Sequence, residues 1–180
     1  LAVLDHGAFG FSGDIYATVA GQQPRKTRFS SPEMAIPFVA FDDTSLDFLS
    51  PMDVRDAISL AETITGRRIT VLGFDADLTA AVEALHECRR VADYAIVVQD
   101  VLPMNGWPWA AICKELVANP SVSPSTLCKS IVTLCQASYA KSKAGVAVSA
   151  TDLRTLDRLS DQMTQLVNAL TVAYPIDYPT

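Results

Sequence analysis

Arg68-Ile-Thr-Val-Leu-Gly-Phe-Asp-Ala-Asp-Leu78 decides the fold. Its apolar centre, Ile69 to Phe74, has the length and β-branched content of a buried strand, and Leu78, Ala81, Val82, Leu85 and Cys88 then recur at helical spacing. The stretch predicts a strand that passes into a helix at Asp75. Two carboxylates, Asp75 and Asp77, stand at that junction, where the unpaired N–H groups and dipole of a helix start favour one acid without any functional reason.

The same alternation extends in both directions. Downstream, Ala92 to Val98 is another apolar run, and a helix through about Ala118 follows Pro103 and Gly106. Ser123-Pro124 caps a helix to about Lys141, Val146 to Val148 reads as a strand, and Ser149-Ala-Thr-Asp152 reads as the cap of a last helix. Leu153, Leu156, Leu159, Met163, Leu166 and Leu170 share one side of it. Upstream, Ser50-Pro51-Met52-Asp53 combines a capping Ser, a Pro at the first helical position and an acid at the third. The helix it opens carries Val54, Ala57, Ile58, Ala61 and Ile64 on one face and stops at Gly66. Leu1 to Asp5 reads as a short buried strand. Between them, Gly7 to Ser31 has loop composition, and Ile15–Ala20 with Ile36–Phe41 predicts a small hairpin. Strands that alternate with helices and read as continuous apolar runs belong to a sheet covered on both faces. The expected architecture is a three-layer α/β/α sandwich with a mainly parallel sheet, residues 1–180 forming one domain.

Composition narrows the function. With 180 residues, 49% of them apolar and 19% charged, the chain buries a core of its own. Fourteen basic against twenty acidic side chains give a net charge of −6, the wrong sign for a protein that neutralises phosphates, so no nucleic-acid partner is expected. No apolar run approaches the roughly 18 residues that span a bilayer, so no membrane partner is expected either. Cys88, Cys113, Cys128 and Cys135 lack the paired spacing of a zinc site, and buried free thiols are expected. Nothing implies a cofactor.

In a parallel sheet, function gathers at the carboxyl ends of the strands. His6 follows the first strand and is flanked by Gly7 and Gly10, which allow a sharp turn; His86 lies mid-helix on a polar face and reads as solvent-facing. If the first strand neighbours the Ile69–Phe74 strand, an imidazole and two carboxylates meet in one crevice and perturb one another's protonation.

Six motifs in order carry a resemblance across nearly the whole chain: Asp5-His6-Gly7; Gly73-Phe-Asp-Ala76 with Leu78, Ala80 and Glu83; Ala92-Asp-Tyr94; Gly106-Trp-Pro-Trp109; Asn119-Pro120; and Val148-Ser-Ala-Thr-Asp-Leu153. Together they resemble the clostripain family of cysteine peptidases. The resemblance implies a caspase-like fold in which a His after one central strand and a Cys after the next form a catalytic dyad. His6 matches the His, while Asp77 occupies the Cys position of the family's Gly-Phe-Asp-Ala-Cys-Leu pattern. By the same resemblance, Asp75 lines the pocket that selects Arg or Lys, Asp100 falls where a second acid often stands, Gln99 replaces an acid beside it, and Trp107 and Trp109 wall the crevice or pack in the core. The basic run Pro24-Arg-Lys-Thr-Arg28 lies in the loop where such peptidases are cut for activation.

The substitution at position 77 has a chemical consequence. A thiolate attacks amides because it is strongly nucleophilic and forms near neutral pH beside an imidazole, whereas a carboxylate attacks poorly and would form an anhydride. Asp77 is expected to pair with His6 and raise its pKa, holding it as imidazolium and removing the base. The expected function is therefore a peptidase-like domain without its nucleophile that binds peptides or partners carrying basic side chains. Two alternatives stand beside it: an active Arg/Lys-specific cysteine peptidase in which Asp77 replaces a native cysteine by engineering, and a divalent-metal site built from Asp5, His6, Asp75 and Asp77. The family's strands before the His strand have no counterpart here, so the chain is expected to be a fragment whose sheet an N-terminal partner segment completes. A soluble chain is expected, with family members exported from the cell.

Overall fold

The computed structural model describes residues 2–5, 39–42, 47–142 and 145–174. His6, the Ile15–Ala20 strand and the basic run at 24–28 lie outside the described residues. The elements are β1 (Ala2–Asp5), β2 (Ala40–Asp42), β3 (Asp47–Leu49), α1 (Pro51–Thr65), β4 (Val71–Ala76), α2 (Val82–Cys88), β5 (Tyr94–Val98), α3 (Trp109–Ala118), α4 (Pro124–Tyr139), β6 (Val148–Asp152) and α5 (Leu156–Ala173), the last preceded by a 3₁₀ turn at Leu153–Thr155.

A four-stranded sheet of order β1-β4-β5-β6 forms the middle layer. β1 and β5 run parallel to β4, with Leu4 opposite Asp75, Asp5 opposite Ala76 and Leu72 opposite Ala95. Alternation along the strands divides the core in two. Leu72, Phe74, Ala95 and Val97 pack with Val54 and Ile58 of α1, Leu85 and Cys88 of α2, and Leu156 of α5. On the opposite face, Ile96 and Val98 pack with Trp107, Ile112 of α3, and Cys128, Ile131 and Cys135 of α4. Each apolar side chain fully removed from water contributes about 1.5–3 kcal/mol. Exposed ion pairs such as Arg154–Asp152 are screened by solvent and contribute little, so packing rather than surface charge fixes where the strand tips sit. Mixed strands between two helical layers make the expected α/β/α sandwich.

Helix α1 starts where its sequence predicts. Ser50 Oγ accepts from the Asp53 amide at 3.2 Å, the Asp53 carboxylate accepts the Ser50 amide at 2.8 Å, and Gly66 closes the helix at φ 64°. Ser123 likewise caps α4 through the Thr126 amide.

Several boundaries differ from the sequence reading. The strand thought to end at Phe74 continues through Asp75 to Ala76, and α2 begins only at Val82, so neither acid caps a helix. Pairing with β1 supplies the reason, because a parallel neighbour extends the ladder past the last apolar residue. Ser149 to Asp152 belongs to β6 rather than to a helix cap, and Asp152 caps the 3₁₀ turn through the Arg154 amide. β6 runs antiparallel to β5, with Val98 opposite Val148. The described hairpin joins Ala40–Asp42 to Asp47–Leu49, a partner that the sequence reading missed. Beyond Leu156, the apolar side of α5 runs clear of the core, and Leu159, Met163, Leu166 and Leu170 are exposed. Among the described residues no helix is long and apolar enough to cross a membrane.

Candidate functional site

The site is built at the carboxyl end of β4. Beyond Ala76 the chain turns, and four bonds hold the turn, two of them to Val98 of β5, one to Asp100 just beyond it and one back to Ala76. The Leu78 amide donates to the Asp100 carbonyl at 3.4 Å and the Ala80 amide to the Val98 carbonyl at 3.0 Å. Thr79 Oγ1 accepts the Val98 amide and donates to the Ala76 carbonyl, both at 3.1 Å. Leu78 adopts φ 55°, the left-handed region that a side chain of its size avoids at a cost of about 1–2 kcal/mol. This strain sits one residue past Asp77, as strained backbone does at many functional turns.

Asp77 is almost completely buried, and its Oδ1 accepts the Leu102 amide from the loop after β5. The position that the resemblance gives to the nucleophile is thus occupied by a carboxylate bonded into the scaffold. Its expected pairing with His6 falls outside the described residues. What the structure does describe is the neighbouring strand end: Asp5, the residue before His6, lies opposite Ala76 in register.

Asp75 is only 6% exposed and points to the sheet face covered by α3 and α4. Its carboxylate is cradled by one loop. Oδ1 lies 3.0 Å and Oδ2 3.1 Å from the Trp107 amide nitrogen, and Trp109 Nε1 donates to Oδ2 at 2.8 Å. Gly106 makes the approach possible, since at φ 58° it carries no Cβ, and one placed there would sit 2.8 Å from Oδ2. Tyr139 Oη donates to the Gly106 carbonyl at 2.6 Å and anchors the loop to α4. Burial pushes the Asp75 carboxyl above its ordinary range; the Trp107 amide and Trp109 indole pull it down, and the charge of Asp77 adds to the upward push.

Trp107 and Trp109 stack with ring centroids 5.6 Å apart, but they sit differently. The Trp107 side chain is buried in the core, where its indole N–H finds no acceptor among the described residues. Only its backbone meets Asp75. Asp100 is exposed beyond β5, and its carboxylate accepts the neighbouring Val101 amide at 2.7 Å. Gln99 is exposed as well, its amide held by the Ala147 carbonyl. His86, read as solvent-facing, is half-buried on α2. Sequence reasoning missed the indole bond of Trp109, because residues 75 and 109 meet only through the fold.

All four cysteines are free, and Cys113 is exposed rather than buried, because it lies on the outer side of α3. Burial pushes the Cys88 and Cys135 thiols up to about 12 and Cys128 up to about 11, so all three stay protonated at neutral pH. Cys135 lies close enough to Asp75 to feel its charge, yet this fully buried thiol is no substitute nucleophile. Among the described residues no three His, Cys, Asp or Glu side chains gather as a metal site.

The fold is similar to that of solved cysteine proteases. A clostripain from Bacteroides thetaiotaomicron, solved with the peptide inhibitor BTN-VLTK-AOMK, aligns over 73% of this chain and 57% of its own, at 20% identity and TM-score 0.55. A cysteine protease of B. fragilis aligns over 66% and 49%, at 18% identity and TM-score 0.54. A secreted cysteine protease from B. thetaiotaomicron, in complex with an irreversible peptide inhibitor, aligns over 64% and 34%, at 23% identity and TM-score 0.52. This chain therefore spans between about a third and somewhat over half of each. The shared fold is the caspase-like peptidase fold. The sequence profile of the clostripain family matches residues 30–175, and the chain belongs to that family. Among curated proteins, none matches.

Proposed function

We propose that this chain is a clostripain-family domain that holds peptide segments with basic side chains at the tips of β1 and β4 and lacks the thiol needed to cleave them. The burial of Asp77 and its bond to the Leu102 amide carry the reading. At the place the family resemblance gives to a nucleophile stands an acid that cannot attack an amide usefully and that already serves as a scaffold acceptor. His6 is the proposed partner across the crevice. It follows Asp5, which is opposite Ala76, and adjacent strands lie about 4.8 Å apart. An imidazole there beside a carboxylate is held as imidazolium and is lost as a base.

Asp75 supports the basic preference, since it is a carboxylate at the strand tip with N–H donors on one side and no ion pair to it among the described residues. The clostripain relative solved with BTN-VLTK-AOMK is consistent with this, its peptide ending in Lys. Asp100 is proposed as an outer element of the same pocket and Trp107 as its inner support, through the backbone amide that holds Asp75, and export as its setting, one relative being described as secreted. β1 is one of the two edges of the four-stranded sheet among the described residues, which fits a further segment adding a strand beside it.

The test compares the unmodified chain with Asp77→Cys. The unmodified chain is expected to bind a blocked peptide ending in Arg or Lys amide, measured by calorimetry, more tightly than the same peptide ending in Ala, and to cleave neither. Asp77→Cys is expected to restore no efficient cleavage of an Arg-ended chromogenic peptide, because the Leu102 amide then loses its acceptor and the turn has settled around an acid. Rapid cleavage by that variant would establish the active-peptidase alternative instead.

A further inference from the structure

We infer that Trp109 is a positioning residue for Asp75: its indole N–H, 2.8 Å from Oδ2, fixes how the carboxylate presents itself to the crevice and so sets how strongly a guanidinium or ammonium group is held. The inference rests on the reading of Asp75 as the acid that meets basic side chains.

The geometry separates two tryptophans that look equivalent in sequence. Trp107 gives Asp75 only its backbone amide, a donor that survives any change of side chain except to Pro. Its own ring lies in the core with its N–H unpaired, so that side chain is a packing piece. Trp109 is half-buried and gives the side-chain donor. An ionised carboxylate has about four acceptor directions. Trp107 and Trp109 take those facing the 106–109 loop, so a ligand meets Asp75 only through the small part of it that stays exposed. Gly106 lets the loop come close enough, and Tyr139 pins it through the Gly106 carbonyl.

Replacing Trp109 by Phe keeps the ring and removes one N–H. Burial raises the Asp75 pKa while the two donors lower it, so losing one donor moves the carboxyl further up and leaves its orientation to the Trp107 amide alone. The other titratable groups around Asp75 are Asp77 in the turn after β4 and Cys135 and Tyr139 on α4. Asp77→Asn therefore serves as a background in which the remaining acid is Asp75.

The experiment reads two signals. The chain has two tryptophans, so its indole N–H region in a nitrogen-15 NMR spectrum holds two resonances, assigned by Trp107→Phe and Trp109→Phe. The Trp109 resonance is expected to titrate with pH in the unmodified chain and in Asp77→Asn, to stop titrating in Asp75→Asn, and to leave the Trp107 resonance unmoved. The second signal is binding of a blocked peptide ending in Arg amide. Trp109→Phe is expected to weaken it about tenfold, the loss of one hydrogen bond to a charged group, and to shift the midpoint of its pH dependence upward. Trp107→Phe is expected to leave that midpoint in place. If the unmodified chain binds no Arg peptide while the Trp109 resonance still follows Asp75, the peptide-binding reading fails and the coupling of Trp109 to Asp75 stands. If the Trp109 resonance ignores Asp75→Asn, or Trp109→Phe binds with unchanged strength and pH midpoint, the inference is overturned. The NMR arm needs no folded Trp109 variant beyond assignment, which Trp107→Phe supplies by difference.

Discussion

Gly106→Ala isolates the close approach on which the Asp75 cradle depends. Gly106 sits at φ 58°, where an added Cβ costs about 1–2 kcal/mol from backbone sterics alone. That Cβ would also stand 2.8 Å from Asp75 Oδ2 and 3.1 Å from Oδ1. The buried carboxylate cannot swing aside without giving up the Trp107 amide and Trp109 indole, and hydrogen bonds to a charged group are worth about 1.5–3 kcal/mol. Reduced freedom of the unfolded chain returns about 0.4–1 kcal/mol. The net expectation is a loss of about 2–4 kcal/mol, read as a fall of about 1–2 M in the midpoint of urea unfolding at a typical slope of about 2 kcal/mol/M. Two glycines calibrate it. Gly66 has φ 64° with nothing within 4 Å of a Cβ, so Gly66→Ala reports the backbone cost alone. Gly145 has neither a positive φ nor a neighbour, so Gly145→Ala is expected to be neutral or mildly stabilising. The reasoning is refuted if Gly106→Ala destabilises no more than Gly66→Ala.

Three further outcomes follow from burial and capping. With a thiol reagent at neutral pH, one cysteine of the folded chain is expected to react fast, Cys113, and the fast phase to vanish in Cys113→Ser; the three buried thiols react only on unfolding. Ser50→Ala removes the cap of α1 and is expected to cost about 1 kcal/mol in urea unfolding, with Ser50→Gly costing only a few tenths. Asp75 binds its proton more tightly in the folded than in the unfolded chain, so its contribution to stability falls as pH rises from the ordinary carboxylate value of 3.8 through its raised value. Asp53, lowered by its bonds to Ser50, acts in the opposite sense: its contribution is present above 3.8 and lost as pH falls through its lowered value. Unfolding midpoints of Asp75→Asn and Asp53→Asn, followed across the acid range, are expected to diverge from the unmodified chain with opposite slopes.

The layered fold was legible because Leu72, Phe74 and Ala95 to Val98 form runs too apolar for anything but a doubly covered sheet, and because Ser50, Gly66 and Ser123 punctuate their helices with chemistry that acts locally. The direction of β6 was not, since an alternating pattern reads the same whichever way a strand runs. The boundary at Asp75 was misread for a related reason. Hydrophobicity ends at Phe74, whereas the ladder ends where the partner strand does, at Asp5 opposite Ala76. Of the candidate site, the acids at 75 and 77 were visible as residues at a strand end. Their opposite attachments, one to Leu102 and the other to Trp107 and Trp109, depend on loops brought together by sheet order, which no local spacing encodes.

Because β6 enters the sheet head-down against β5, Val148 lies beside Val98, and the Ala147 carbonyl receives the Gln99 amide at 2.8 Å. The backbone entering the final strand therefore emerges on the rim that carries Asp100, whereas a parallel strand in its place would have sent that connection to the floor of the molecule. For anyone grafting sequence diversity onto this rim, Gly145 is the place to vary, since an added Cβ there meets nothing within 4 Å, whereas Val146 packs against the core and the Ala147 carbonyl holds Gln99.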